Sequence, residues 1–278
     1  MSRVAVIADI HGNLPAFEAV LEHIARQHVD QLIIAGDLVV GSPDSAACWR
    51  LAQSLGCPIV RGNHERYAAQ FGAPGTPPEW ASERFGPVRW AAEQLTPAER
   101  AAIDALPLTF RSPELPDLLV VHASLRADRD SIMPHTPEEQ LAEMFPDLRE
   151  RWVVRAHNHA AMVRLWGDRV IITAGAVGLP LDSHATAQYV LLERRAEGWR
   201  ARHQSVEYDL AATLRRFSAS GYLEAAGPFA RLLMREVATA SFYVVPFLNC
   251  YGAQVDRGEI GLAAAVERFL SSKWPEEI

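Results

Sequence analysis

The sequence predicts an α/β protein with two blocks of strands and a helical tail. Three observations carry that prediction. Apolar β-branched runs alternate with amphipathic helical spacing through the first 65 residues, the pattern of a parallel sheet with helices on its faces. Short strand-like runs return between residues 117 and 206, several of them separated by Gly-Asp or Glu-Gly turns. From Asp209 onward the apolar residues fall at helical spacing.

Val4–Ala8 suits a strand buried on both faces. Leu14–His28 puts Leu14, Phe17, Val20, Leu21 and Ile24 on one helical face, with Pro15 in the first turn, where its missing N–H is tolerated. Gln31–Ala35 predicts a second strand, Asp44–Leu55 a second helix and Pro58–Val60 a third strand. Residues 66–110 change character: Ala73-Pro74-Gly75-Thr76-Pro77-Pro78 is a loop, followed by helices over Glu79–Gln94 and Pro97–Ala105. Asp117–Val121 predicts a strand, Arg126 to Arg149 a loop-rich stretch with one weak helix, and Trp152–Arg155 the next strand. Met162–Trp166, Val170–Thr173, Gln188–Glu193 and Trp199–Val206 read as an antiparallel meander. Helices are expected over Leu210–Ser220, Pro228–Ala238 and Glu259–Ser271. The expected division is a body of residues 1–207, with a helical insertion near 66–110, and a helical C-terminal extension of 208–278 packed on it.

Composition narrows the function classes. The 278 residues are 49% hydrophobic and 22% charged, enough apolar content for a sizeable core. Lys and Arg number 27 against 34 Asp and Glu, so the net charge of −7 gives no global basic field for long nucleic acid or an anionic membrane. Lys273 is the one lysine, which excludes a P-loop and any catalytic lysine before it. Cys48, Cys57 and Cys250 form no C-x-x-C pair and read as reduced thiols. The N-terminal apolar run is too short for a signal peptide, and no stretch approaches the roughly 18 apolar residues of a membrane span. A soluble, cytoplasmic protein is expected, with a homo-oligomer left open.

The chemistry sits where strands end. The first strand runs into Asp9-Ile10-His11-Gly12, the second into Gly36-Asp37 and the third into Gly62-Asn63-His64-Glu65. Asp9, Asp37 and Asn63 fall 28 and then 26 residues apart, one βα unit each time. Three parallel strands therefore deliver two carboxylates and a carboxamide to the carboxyl edge of a sheet, where open α/β sheets bind ligands. Leu118-Leu119-Val120-Val121-His122 and Val153-Val154-Arg155-Ala156-His157-Asn158-His159 add three more histidines at strand ends. Oxygen and imidazole donors without thiolate suit Mn²⁺, Fe or Zn²⁺. Each motif alone is common, but Asp-x-His, Gly-Asp, Gly-Asn-His-Glu, His and His-x-His in that order, each after an apolar strand, form a set that chance does not supply.

That ordered set resembles the calcineurin-like metallophosphoesterases over roughly residues 1–205, and within them is most similar to small bacterial phosphodiesterases. The resemblance implies a four-layer α/β/β/α sandwich with a two-metal centre. It implies that Asp9, His11, Asp37 and His159 hold one divalent cation and that Asp37, Asn63, His122 and His157 hold the other, with Asp37 bridging. His64 is then the non-ligand histidine that contacts the scissile phosphate, able when protonated to stabilise the transition state or supply a proton to the leaving oxygen. The two cations, expected to be Mn²⁺ with Fe or Zn²⁺ as alternatives, would sit about 3.5–4 Å apart, share a hydroxide and neutralise the phosphoryl oxygens.

Two departures from the family pattern stand out. Ala156 occupies the usual glycine before His-x-His, which removes no ligand. Val40-Gly41 stands where the superfamily's protein phosphatases carry Arg-Gly, so the protein-phosphatase reading is weakened. Arg126 and Arg129, in the loop after His122, are candidates to bind substrate, against the alternative that they pair with Asp128 and Asp130 on a solvated loop. His135 and His184 sit in rim-like loops, while His23, His28 and His203 read as surface residues. Trp80, Phe85 and Trp90 read first as core packing and second as an aromatic wall for a base. Phe242-Tyr243-Val244-Val245-Pro246-Phe247-Leu248 is unusually apolar and offers packing, a lid or a dimer contact. The expected activity is metal-dependent hydrolysis of a small phosphodiester or nucleotide. The alternatives are a phosphomonoesterase or protein phosphatase, a dinucleoside polyphosphate hydrolase, a nuclease and a non-catalytic metal-binding scaffold.

Overall fold

The computed structural model describes residues 2–272, so Lys273 and the last residues of the expected extension lie outside them. The chain runs β1 (Arg3–Ile7), α1 (Leu14–Ala25), β2 (Gln31–Ile34), α2 (Ser45–Ser54), α3 (Asn63–Gln70), α4 (Gly86–Gln94), α5 (Pro97–Asp104), β3 (Thr109–Phe110), β4 (Leu118–Val121), α6 (Glu138–Met144) and β5 (Trp152–Arg155). There follow β6 (Met162–Trp166), β7 (Arg169–Thr173), β8 (Ala187–Arg195), β9 (Gly198–Val206), α7 (Leu210–Ala219), α8 (Tyr222–Ala225), α9 (Phe229–Thr239), α10 (Val244–Phe247), α11 (Ala253–Asp256) and α12 (Leu262–Ser271).

The strands form a four-stranded sheet in the order β2-β1-β8-β9 and a five-stranded sheet in the order β3-β4-β5-β7-β6. Alternation along β1 explains how the layers stack. Val4 and Val6 face the second sheet, in a core shared with Leu118, Val120, Val154 and Ile172. Ala5 and Ile7 face the other way, onto Phe17, Val20 and Ile24 of α1 and Trp49 of α2. The outer face of the second sheet, with Leu119, Val121, Val153 and Ile171, packs on Leu141 and Met144 of α6 and on Phe145. Helix, sheet, sheet and helix therefore lie in four layers, each apolar face buried against the next.

Several local expectations change. Pro58–Val60 makes only a bridge at Ile59 to Ile34, because the chain diverts at Gly62 into α3 before a ladder can extend. Asn63 thus opens a helix rather than ending a strand. The expected helix over Glu79–Gln94 is two short 3₁₀ turns, Pro78–Ala81 and Glu83–Phe85, and begins only at Gly86-Pro87. The expected meander is two hairpins in different sheets: β6 pairs β7 in the second, whereas β8 pairs β9 and joins β1 antiparallel in the first. His23 and His203, expected at the surface, are half-buried: His23 of α1 lies over β8 and bonds to the Tyr189 hydroxyl at 2.9 Å, and His203 of β9 reaches across to the Thr173 carbonyl of β7 in the other sheet at 2.8 Å.

The C-terminal helices dock on the first-sheet side. Phe217, Tyr222, Ala230 and Val237 pack with Leu179, and a second cluster joins Phe229, Leu232, Tyr243, Phe247 and Phe269. The Tyr222 hydroxyl donates to the Gly41 carbonyl at 2.7 Å and Thr213 donates to Asn13 Oδ1 at 2.8 Å. The segment Ala174–Leu179 closes the other side of these loops. Gly178 lies so near Ile10 that any Cβ would collide with the Ile10 carbonyl oxygen and carbon. Gly178→Ala is expected to cost about 3 kcal/mol, as overpacking against rigid backbone does. A thermal midpoint unchanged from wild type would contradict this.

Candidate metal centre

The site is assembled from both sheets. Asp9 and His11 follow β1, Asp37 follows β2, Asn63 opens α3, His122 follows β4, and His157 and His159 follow β5. All leave carboxyl ends of strands or their continuations, so one edge of the sandwich collects them. The turns are sharp: Asp9, His11, Asp37, His157 and His159 have φ of 53°, 50°, 54°, 70° and 59°. Non-glycine residues in the left-handed region cost of order 1–3 kcal/mol each and persist where the surroundings over-determine them. Here the loops are laced together by backbone hydrogen bonds: Asp9 N to Gly36 O at 3.0 Å, His11 N to Asp37 O at 2.9 Å, Gly178 N to Asp9 O at 2.9 Å and Ala156 N to His122 O at 2.8 Å.

Two groupings converge. Asp9, His11, Asp37 and His159 present ligand atoms within 4.8 Å of one another, and so do Asp37, His122 and His157, with Asp37 common to both. Asn63 Oδ1 lies 3.1 Å from His122 Nε2. Asp37 Oδ2 lies 3.3 Å from His122 Nε2 and 3.8 Å from His11 Nε2. The histidines are oriented as metal ligands require. Nδ1 of His11, His122 and His159 sits 2.8, 2.8 and 2.7 Å from the carbonyls of Val40, Ala35 and Leu179, which assigns the proton to Nδ1. Each Nε2 lone pair then points inward, fixed by its outer partner. His11 Nε2 and His159 Nε2 face each other at 3.1 Å, an arrangement of two acceptors that a cation between or beside them relieves. The donor set and its outer contacts fit divalent metal ions.

The electrostatics agree. Burial pushes His11 well down, and burial with the His122 charge pushes His157 down to about 3, so both imidazoles are neutral and able to bind metal. Burial opposes the charge on Asp37, but His122, His64 and His11 overcome it and hold its carboxyl well below the usual range. Burial raises Asp9 to about 6. Burial also disfavours protonated His122, yet the Asp37 carboxylate and its hydrogen bond raise it to about 9.

His64 lies beside this cluster rather than in either grouping. Its ring meets His11 edge-on at 4.8 Å, its backbone N–H donates to Asp37 Oδ1 at 2.9 Å, and its buried Nδ1 has no partner among the described residues. Burial lowers its pKa.

Two supporting residues carried no role in the sequence reading although the motifs contained them. Glu65 is fully buried and accepts backbone N–H groups of Asp37 at 2.7 Å, Leu38 at 2.6 Å, Val39 at 3.4 Å and Gly62 at 2.8 Å. Burial and the nearby Asp37 charge push its carboxyl up to about 7, against the pull of those N–H bonds. Arg155, also fully buried, donates to the Ala123 carbonyl at 2.8 Å, to the Asp130 carbonyl at 2.7 Å and to Asn158 Oδ1, joining the loop after His122 to the His157–His159 turn. A glutamate at the third position of a helix opening after Gly62 was the available signal for the first, since a glutamate there can reach back to the N-cap N–H, the half of a capping box that needs no N-cap side chain. An arginine inside an apolar strand was the signal for the second.

The arginines expected at the substrate are placed elsewhere. Arg126 is exposed and paired with Asp130 at 2.8 Å and Glu143 at 3.3 Å, and Arg129 donates to the Tyr67 hydroxyl at 3.3 Å. Neither lines the cavity over the cluster, and neither do His135 and His184, both exposed. Trp80 is buried beneath Tyr67 and Phe85, and Trp90 packs on Tyr222, so packing describes both, while Phe85 reaches the cavity wall. That cavity, about 890 Å³, is lined at its base by His11, His64, His157 and His159 and roofed by the C-terminal segment around Phe242–Leu248.

The sequence model of the family described as Calcineurin-like phosphoesterase matches residues 2–161. Among solved structures, a metallophosphoesterase from Sphaerobacter thermophilus superposes with a TM-score of 0.67 at 24% identity, covering 86% of this chain and 98% of the other. A hypothetical protein from Pyrococcus horikoshii OT3 does so with a TM-score of 0.69 at 19% identity, covering 84% and 98%. A symmetrical bis(5'-nucleosyl)-tetraphosphatase from Chromohalobacter salexigens is 43% identical over 74 residues, 24% of this chain. The chain matches about a quarter of the length of the curated relatives, 26% and 27%.

Proposed function

The chain belongs to the calcineurin-like phosphoesterase family; from that premise we propose that it is a metal-dependent phosphoesterase that hydrolyses a small phosphodiester at a two-metal centre. The carrying observation is that Asp37 is shared by the two ligand groupings. In this reading Asp9, His11, Asp37 and His159 hold one cation and Asp37, Asn63, His122 and His157 the other. When bound, the two divalent ions, Mn²⁺ in the first instance, would polarise the phosphoryl oxygens and lower the pKa of water at the site.

The chain's own residues do the rest. The Nδ1 contacts to Val40, Ala35 and Leu179 hold three rings against rotation, so no reorganisation is needed as charge builds on the phosphate. Asn63 contributes a neutral oxygen, which avoids adding repulsion against an anionic substrate. His64 lines the cavity beside the cluster, in position to hydrogen-bond a phosphoryl oxygen or the departing ester oxygen.

A diester is favoured over a monoester by charge. Among the described residues, Arg84 is the one arginine lining the cavity, and it is paired with Asp256. The additional charge of a monoester dianion would find no further cation. Val40, an uncharged residue bordering the cavity, supports the same choice against a phosphoprotein substrate.

His64→Ala tests the reading. Turnover of a chromogenic phosphodiester is expected to fall about 10²-fold, the size of losing one preorganised donor. Metal content, measured by elemental analysis, is expected to stay at the wild-type value. Unchanged turnover would sink the assigned role, and faster cleavage of the corresponding monoester by the wild type would turn the reading to a phosphatase.

A further inference from the structure

The cavity over the metal centre carries information about the part of the substrate that does not react. It is bordered by the histidine cluster and by hydrocarbon: Leu233, Phe242, Val245 and Leu248 of the C-terminal extension line it together with Phe85 and Met133 of the body. Met133, Phe242 and Val245 are 45%, 49% and 53% exposed, unusual for large apolar side chains. Scattered singly such residues are ordinary, but these three converge on one cavity that opens onto the site.

The charged side chains along the walls are already engaged, and away from the histidines the Ser131 hydroxyl is the polar side chain of the lining with no protein partner among the described residues. Arg84 is bonded to Asp256 and reaches the Gly252 carbonyl at 3.5 Å. Asn158 Oδ1 accepts from Ile132 N at 3.1 Å and from Arg155, and its amide points at Met133 Sδ at 3.7 Å. Glu236 Oε1 accepts from Tyr243 N and Val244 N, both at 2.8 Å, which fastens the start of the roofing segment. A second phosphate would therefore meet no free cation and one buried carboxylate. A nucleobase would leave its polar edge against hydrocarbon, a cost that an apolar group avoids.

We propose that the ester group seated in this cavity is a hydrocarbon chain, so that the substrate is a phosphodiester of a long-chain apolar alcohol. This rests on the phosphodiesterase reading and narrows its substrate class. The chain would lie across Phe85 and Met133 under the roof of Phe242 and Val245, removing their exposed surface from water, while the phosphate stays at the histidines.

Two paired measurements on the metal-loaded full chain test it. Calorimetric titration compares methylphosphonate with octylphosphonate, and kcat/KM is compared for methyl, octyl and thymidine p-nitrophenyl phosphodiesters. Octylphosphonate is expected to bind at least about tenfold tighter than methylphosphonate, and the octyl ester to exceed both other esters by a similar factor. Val245→Asp and, separately, Phe242→Ser are expected to bring the octyl-to-methyl ratios toward one; both positions are half exposed, so folding is checked by the thermal midpoint. Equal binding of the two phosphonates would overturn the proposal whether or not any ester is cleaved. Preference for the thymidine ester would overturn it in favour of a nucleotide. Tighter octylphosphonate binding with no cleavage of any ester would uphold the hydrocarbon seat and sink the phosphodiesterase reading instead.

Discussion

Asp37→Ala is expected to abolish phosphodiester cleavage, with kcat/KM falling by at least about 10³-fold, roughly 4 kcal/mol of transition-state stabilisation. The size follows from the position of this one carboxylate. It is the residue common to both ligand groupings, and its Oδ2 lies 3.3 Å from Nε2 of His122 and 3.8 Å from Nε2 of His11. Removing it takes an anionic ligand from both halves at once and leaves a cluster dominated by imidazoles. Loss of a residue confined to one grouping, such as Asp9, leaves the other intact. Bound metal per chain is expected to fall in Asp37→Ala, so elemental analysis separates this from a purely catalytic defect. A variant with wild-type metal content and turnover would remove Asp37 from the account.

Glu65→Gln is expected to be the most damaging substitution of a residue outside the ligand set, lowering stability by about 3–5 kcal/mol. Glu65 Oε1 accepts from Leu38 and Val39 and Oε2 from Asp37 and Gly62. A carboxylate can accept on both sides, whereas an amide has one oxygen and turns its NH₂ toward the other pair of N–H groups. The isosteric amide is thus expected to fail nearly as badly as alanine, with a drop in thermal midpoint of about 10 °C. Because Glu65 holds the Asp37 loop against the Gly62-Asn63 turn, metal affinity is expected to fall with stability. A Gln variant as stable as the wild type would show that side-chain volume, not the acceptor pair, holds these loops.

That the Asp and His residues converge was legible because each follows an apolar strand, and strand ends are where an α/β sheet exposes side chains to one edge. The four layers were less so. Val4, Val6, Ala5 and Ile7 are apolar on both faces, and a run buried on both sides does not say whether a sheet or a helix covers it. The two hairpins read as one meander because turn chemistry is local, while assigning β8 to the side of β1 depends on pairing across most of the chain. Arg126 and Arg129 show a further limit of reading charge along a chain: the same loop could point them at a phosphate or at Asp130 and Tyr67, and only the fold chooses. Glu65 and Arg155 act on backbone groups, whose positions exist only after folding. The role of Phe242–Leu248 emerged for the same reason, since its apolar run fits packing equally well until the cavity beneath it is known.

The central claim is that this Asp and His cluster hydrolyses phosphodiesters through divalent metal. Its most direct test is the rate of bis-p-nitrophenyl phosphate cleavage by one preparation before chelation, after exhaustive chelation, and after return of Mn²⁺. The account predicts activity lost on chelation and recovered on return of metal, with Asp37→Ala inactive throughout. Turnover that persists in metal-free protein, or that survives in Asp37→Ala, would contradict it.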